Sequence, residues 1–256
     1  MKKIGLFFIA LFIMVLALTA CSSDEGSEVD TPPTATPVVN VPDQPDSDEG
    51  EPEAPPDVDV DTSRGLFDSE AMIANLQDYV LRPEDLTNEY RIIDGGELHQ
   101  NNLRVIQTVG EVEGKRYMAA TDRLDGWSLE LERVNREELI PYTLSTQIEV
   151  FETSEGAQTA FGPDWLPVYQ ETEDEDKIPH WIEGGCDFGD GCILYYFEKL
   201  DPATELTTLQ YEMVFVAKNV LGRIMGRGVD YDMDPEFFND AAAILFSKVE
   251  AAPEAE

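Results

Sequence analysis

Cys186 and Cys192 enclose only Asp187-Phe188-Gly189-Asp190-Gly191. Outside the cytoplasm two thiols this close oxidise to a disulfide. The two glycines between them ease the tight closure. Zinc would need further thiols or histidines, and a redox pair more often has two intervening residues than five. The spacing therefore predicts a structural bridge. A second pattern, Asp230, Asp232 and Asp234, opens like a calcium loop. An EF-hand then requires glycine at its sixth position and glutamate at its twelfth. Those positions hold Pro235 and Ala241. The triplet is read as a loop that ends in a helix cap, and its aspartates are the weak candidates for a metal. The run Glu171-Thr172-Glu173-Asp174-Glu175-Asp176 reads as a solvated loop.

Hydrolytic chemistry has less support. The chain has two histidines, His99 and His180, and neither neighbours a nucleophile turn. A serine or cysteine nucleophile needs a base and a group to orient that base. Paired carboxylates could hydrolyse a glycoside, but 53 acids make any spacing easy to find. Gly222, Gly226 and Gly228 fall in or just after a predicted strand rather than opening a helix, so they form no phosphate loop. The aromatics Trp165, Tyr169, Trp181 and Phe188 gather around predicted loops, with Tyr195 and Tyr196 on one strand. Core packing accounts for most of them, and a carbohydrate or peptide could stack on the first four. No cofactor is implied.

The third cysteine has a different setting. Lys2 and Lys3 precede an apolar run from Ile4 to Leu18, and Leu18-Thr19-Ala20-Cys21 closes it. A basic start, a short apolar stretch and small residues at its end make a signal peptide. Ile4 to Ala20 is 17 residues, and a spanning helix needs about 20. The closing tetrapeptide resembles the lipobox of bacterial lipoproteins. That resemblance implies cleavage before Cys21 and lipidation of its thiol, so the membrane becomes a partner through acyl chains. Each buried methylene contributes about 0.8 kcal/mol to such an anchor. Ser22, not aspartate, follows the cysteine, so the best-known inner-membrane retention signal of that family is absent. The location implied is the extracytoplasmic face of a cell membrane or outer membrane.

Residues 1–20 are thus expected to be a leader and 21–65 a stalk. Between Ser22 and Arg64 stand 13 acids, one base, eight prolines and no aromatic residue. Such a stretch cannot bury enough apolar surface to offset its ordering entropy, and proline and like charges extend it. The expectation is a disordered acidic, Pro-rich linker. Beyond it, 40 acids face 14 bases. This balance argues against nucleic acid, whose phosphates require lysine and arginine clusters. It suits a soluble, well-hydrated surface, or attraction of cations or a basic partner.

Residues 66–250 can bury a sizeable core as a single domain, with 251–256 as a disordered tail. Ser69 is placed to cap a helix through about Val80. Glu89–Ile93 reads as a short strand and Leu98–Val109 as a helix. Trp127, Leu129 and Leu131 alternate with polar residues, as do Leu144, Ile148 and Val150 within a strand over 142–151. Ser154 starts a short helix burying Ala157, Ala160 and Phe161, and Asp164 is placed to cap a further turn. Cys192–Phe197, a strand around Leu209–Ala217 and Val220–Met225 follow. Pro235 behind Asp234 opens a last helix with an apolar stripe of Phe238, Ala241, Ala242, Leu245, Phe246 and Val249. The pattern predicts an α+β fold, a mainly antiparallel sheet packed against helices.

The order of these parts resembles sensor-like and PsbP-like extracytoplasmic lipoprotein domains. The resemblance rests on Leu81-Arg82-Pro83-Glu84-Asp85-Leu86 leading to Tyr90-Arg91-Ile92, on Asp125-Gly126-Trp127 entering a strand, and on Val150 to Ala157 linking strand to helix. Thr87 stands where that group has proline, and Asn88-Glu89 where it has its glycine region. The resemblance implies an antiparallel sheet between helices and a binding or accessory role with no catalytic residues. The leading expectation is a membrane-anchored extracytoplasmic lipoprotein with a non-catalytic binding, sensing or accessory domain, whose ligand is an unknown protein or carbohydrate. The alternatives are a carboxylate-dependent hydrolase acting on envelope or external polymers, and a structural subunit of an envelope complex.

Overall fold

Seven strands, each antiparallel to its neighbours, form one sheet in the order β1-β2-β3-β7-β6-β5-β4. The computed structural model describes residues 65–86, 90–134, 140–169, 178–182, 184–201, 205–229 and 235–255. The strands are β1 (Tyr90–His99), β2 (Arg123–Arg133), β3 (Thr143–Phe151), β4 (His180–Trp181), β5 (Gly191–Asp201), β6 (Leu206–Ala217) and β7 (Val220–Val229). The helices are α1 (Ser69–Ile73), α2 (Asn102–Val109), α3 (Glu111–Thr121), α4 (Ser154–Phe161) and α5 (Pro235–Glu250). The fold is α+β, as the pattern of elements predicted. Among the described residues no helix is long and apolar enough to cross a membrane.

Strand periodicity divides the sheet into two faces. On one face Leu129, Leu131, Leu144, Ile148, Met213, Phe215 and Ile224 pack against α5 and the segment around Met72, Leu76, Val80 and Leu81. Phe238, Ala241, Ala242, Leu245 and Val249 give α5 a fully buried stripe; burying a large side chain contributes about 1.5–3 kcal/mol. Gly222 lets this layer close, because a Cβ there would stand 2.1 Å from the Phe215 ring. The opposite face carries a smaller core, in which Phe151, Val214, Val216 and Leu221 meet Ala157, Ala160 and Phe161 of α4.

Several boundaries differ from the sequence reading. The helix expected over 69–80 stops at Ile73, and a 3-10 turn at Leu76–Asp78 follows. Asp68 caps it by accepting from the Ala71 N–H, while the Ser69 hydroxyl donates to the Phe151 carbonyl. β1 runs past Gly95-Gly96 to His99, with its register shift between Ile92 and Glu97. The following helix therefore starts at Asn102, capped by Asn101. α3 was not anticipated. Its only buried residues are Gly114 and Thr121, so it shows no apolar stripe. After α4, the N–H groups of Trp165 and Leu166 donate to the Gly162 carbonyl, giving a turn that Asp164 does not cap. The expected disordered tail is corrected over 251–255. Glu254 bridges Phe67, the Asp68 N–H donates to the Pro253 carbonyl, and Ala252 is buried. The leader, the stalk and the acidic run 171–176 lie outside the described residues.

Candidate functional site

The face under α3 and α4 holds an ionic network that the sequence did not announce. Arg123 opens β2 with its side chain fully buried, and its Nε donates to Glu149 Oε2 of β3 at 2.7 Å. Its Nη1 donates to Asn102 Oδ1 and its Nη2 to the Gln100 carbonyl, both at 2.7 Å. Gly126 makes room, since a Cβ there would lie 2.4 Å from Nη2. Glu149 also accepts from the Tyr117 hydroxyl of α3 at 2.7 Å and from Gln147 Nε2 at 2.5 Å. Burial alone would push the Glu149 carboxyl up. The Arg123 charge, the hydrogen bonds from Tyr117 and Arg123, and the Arg223 charge outweigh it and hold the group below its usual range.

The network continues across the sheet. Arg223 of β7 has its Nε 3.2 Å from Glu212 Oε1 of β6. That nitrogen is buried without a hydrogen bond, although a quarter of the side chain is exposed. Burial disfavours its charge, but Glu212, Tyr195, Glu149 and Tyr117 together favour it more. Burial, then the Glu212 charge, pushes the Tyr195 phenol up, and the hydrogen bond to Glu212 adds to the effect. Two guanidinium groups and two carboxylates thus share one interior region. Chemically this is a neutralised, hydrogen-bonded set.

Beyond the network this face is half-buried among the described residues. Ser145, Gln210, Met225, Arg227 and Phe197 are half-buried there, with Phe197 packed against the smaller core. Thr143 pairs in register with Arg227, and Arg227 with Gln210. Arg227 donates through Nε and Nη2 to Gln210 Oε1. It has no carboxylate partner among the described residues.

The residues singled out from sequence are distributed over the fold. Cys186 and Cys192 form a disulfide, with Cα atoms 6.0 Å apart. Tyr169, Trp181, Tyr195 and Phe197 make a chain of ring contacts at 5.5–5.6 Å along the β4–β5 edge. Trp165 stands apart, 5.2 Å from Tyr117 with Arg116 above its ring. Phe188 packs 5.4 Å from Phe246 of α5, in the core on the other face. The four aromatic candidates therefore do not form one surface. His180 stacks on Tyr196, and His99 on Trp127, with Asp125 2.8 Å from the His99 Nε2. Among the described residues neither histidine meets a nucleophile. Cys21, Asp230, Asp232 and Asp234 lie outside the described residues. Among the described residues no group of three or more histidines, cysteines, aspartates or glutamates could hold a metal ion.

The signal for the two arginines of β7 was faint but present. Arg223 and Arg227 lie four apart in a strand, so both fall on one face, and lysine and arginine number only 17 against 53 acids.

No protein-family model matches the chain, and no curated protein matches it. Among solved structures it is similar to the crystal structure of the extracellular domain of PknH from Mycobacterium tuberculosis. The identity is 12%, the TM-score 0.36, and the match covers 69% of this chain and 96% of that one. At this TM-score the likeness carries no functional argument.

Proposed function

We propose that the chain is an extracytoplasmic lipoprotein, anchored through Cys21, whose α+β domain binds or senses a ligand without transforming it. The observation that carries the non-catalytic reading is the pairing of Glu149 with Arg123 and of Glu212 with Arg223. Glu149 is held below its usual range by its partners, and Glu212 faces Arg223 and Tyr195. A carboxylate-dependent hydrolase needs one acid kept protonated for donation to a leaving group, and the partners of Glu149 work against that there. The Cys186–Cys192 bridge supports the compartment, because disulfides persist where the surroundings oxidise. The lipobox-like Leu18-Thr19-Ala20-Cys21 supports the anchor.

Intact mass of the membrane-extracted chain tests the anchor. The expected species begins at Cys21 and carries acyl mass, and Cys21→Ala gives a chain without acyl mass. A mature chain that begins at a bare Cys21 overturns this placement. Release of reducing ends from envelope polysaccharide, lost in Glu149→Gln and Glu212→Gln variants that still fold, overturns the non-catalytic role.

Leu103, Val109 and Val112 on α2 and α3 are all more than half exposed. They favour a second reading, a subunit of an envelope complex, since exposed apolar surface marks association sites. A triple change to serine that dissolves a native complex would support it.

A further inference from the structure

We propose that the half-buried part of the α4-side sheet face, around Arg227, Gln210, Gln147 and Thr143, binds a largely neutral oligosaccharide bearing isolated carboxylates, as a uronic acid supplies. This rests on the binding role proposed above and names its ligand.

The cation comes first. The chain has about three acids for each base, yet among the described residues the guanidinium of Arg227 hydrogen-bonds the neutral amide oxygen of Gln210 and meets no carboxylate. That acceptor takes the Nε and Nη2 edge, so the guanidinium plane is oriented, and no described carboxylate offsets its charge. The other edge, Nη1 with the second N–H of Nη2, matches a carboxylate with two parallel hydrogen bonds. Four residues earlier on the same strand, Arg223 stands a quarter exposed, with its Nε lacking a hydrogen bond.

The surroundings fit sugar hydroxyls. Across from Arg227 and Arg223 on β3 stand Thr143 and Gln147, both half-buried. A hydroxyl and an amide both donate and accept, which is what an array of sugar hydroxyls requires. Phe197 of β5 lies at the end of the ring chain from Tyr169 and is half-buried. A ring there offers an apolar body for the flat face of a pyranose. The surface is a stretch of sheet, which suits an extended chain of sugars more than a compact small molecule, whose sites are concave.

Charge restricts the ligand further. From Gly65 onward the chain carries 40 acids against 14 bases, and that field repels a dense polyanion at long range. Screening acts over about 8 Å at physiological ionic strength, so a well-separated carboxylate can reach Arg227 where a heavily charged polymer is held off. A wholly neutral glycan would leave the fork of Arg227 unused.

Titration calorimetry on the full chain in detergent tests this with three probes. They are a tetrasaccharide alternating glucuronate and N-acetylglucosamine, its carboxyl-reduced form, and a tetraglutamate peptide. The expected result is saturable binding of the first probe, at least tenfold weaker binding of the other two, and at least tenfold weakening by Arg227→Gln. Arg227→Lys should recover part of that loss, and the control Glu111→Gln on exposed α3 should bind as the parent does. Thermal unfolding of each variant separates lost binding from lost folding, and Thr143→Val provides a second variant that leaves the charge in place. Absence of binding by the first probe overturns the proposal, as does equal binding of its reduced form or tighter binding of the peptide. Those last two outcomes leave the binding role intact while removing this ligand.

Discussion

Glu149→Gln isolates the energetics of the interior network. The substitution keeps size and shape but removes the charge facing Arg123, whose side chain is fully buried. It also places an amide where the carboxylate accepted from Tyr117, Arg123 and Gln147. One amide oxygen cannot serve those donors, and the new NH2 meets donors with a donor. Removing one partner of a buried ion pair costs about 3–5 kcal/mol. For a domain of this size each kcal/mol lowers the midpoint by about 2–4 °C, so the expected fall is about 6–20 °C. The pair replaced together, Arg123→Met with Glu149→Leu, should recover most of the loss, because no uncompensated charge remains. Thermal unfolding by near-ultraviolet circular dichroism measures both. A loss below about 1 kcal/mol for the single variant, or a double variant less stable than the single, would refute the reasoning.

The same carboxylate sets an acid limit. Its folded pKa lies below its unfolded value, so its stabilisation is present above an unfolded pKa of about 4.3 and is lost as pH falls through the lower folded value. Urea midpoints should drop steeply below about pH 4, and Glu149→Gln should flatten that drop. Asn219, fully buried in the β6–β7 turn, accepts from the Phe67 N–H and donates to the Phe67 and Phe151 carbonyls and the Ser69 hydroxyl. Asn219→Ala should cost about 2–4 kcal/mol by orphaning these groups, and amide exchange at Phe67 should rise by orders of magnitude; an unchanged Phe67 amide would contradict this. Reducing Cys186–Cys192, or changing both to serine, should cost about 2–3 kcal/mol on the chain-entropy model, read as a lower denaturant midpoint with unchanged slope.

Strand alternation exposed most of the sheet in advance, because one polar and one apolar face leave a period-two trace. β2 shows it plainly in Trp127, Leu129 and Leu131, and β6 in Leu209, Met213 and Phe215, although the second half of β6 is buried on both faces. α3 left no such trace, since it lies over other helices and buries only Gly114 and Thr121. The end of β7 was missed because Gly226 and Gly228 resemble a turn; Gly226 in fact lies 3.2 Å, by a virtual Cβ, from Phe238 of α5. The aromatic cluster misled for a related reason. Neighbours such as Tyr195 and Tyr196 point to opposite faces of one strand, and one meets Trp181 while the other meets Tyr211. Glu149 stayed hidden among 53 acids, since nothing local marks which carboxylate an arginine twenty-six positions away will meet.

β7 ties the two layers together. Its even positions, Gly222, Ile224, Gly226 and Gly228, face the main core, where the missing side chains let Phe215 and Phe238 approach. Its odd positions turn Arg223, Met225 and Arg227 to the other side, where Arg223 joins the interior network and Arg227, among the described residues, hydrogen-bonds Gln210. Close packing on one face thus fixes the backbone that aims the guanidinium groups on the other, and a rigid strand holds such groups better than a loop could. Gly222→Ala separates the two roles. The added methyl collides with the Phe215 ring and should destabilise the domain by about 1–3 kcal/mol as an overpacked core. It leaves every partner of Arg227 in place, so the folded fraction should bind the uronate tetrasaccharide with parental affinity. Loss of that affinity in protein shown to be folded would mean that the strand does not hold Arg227 independently of the core.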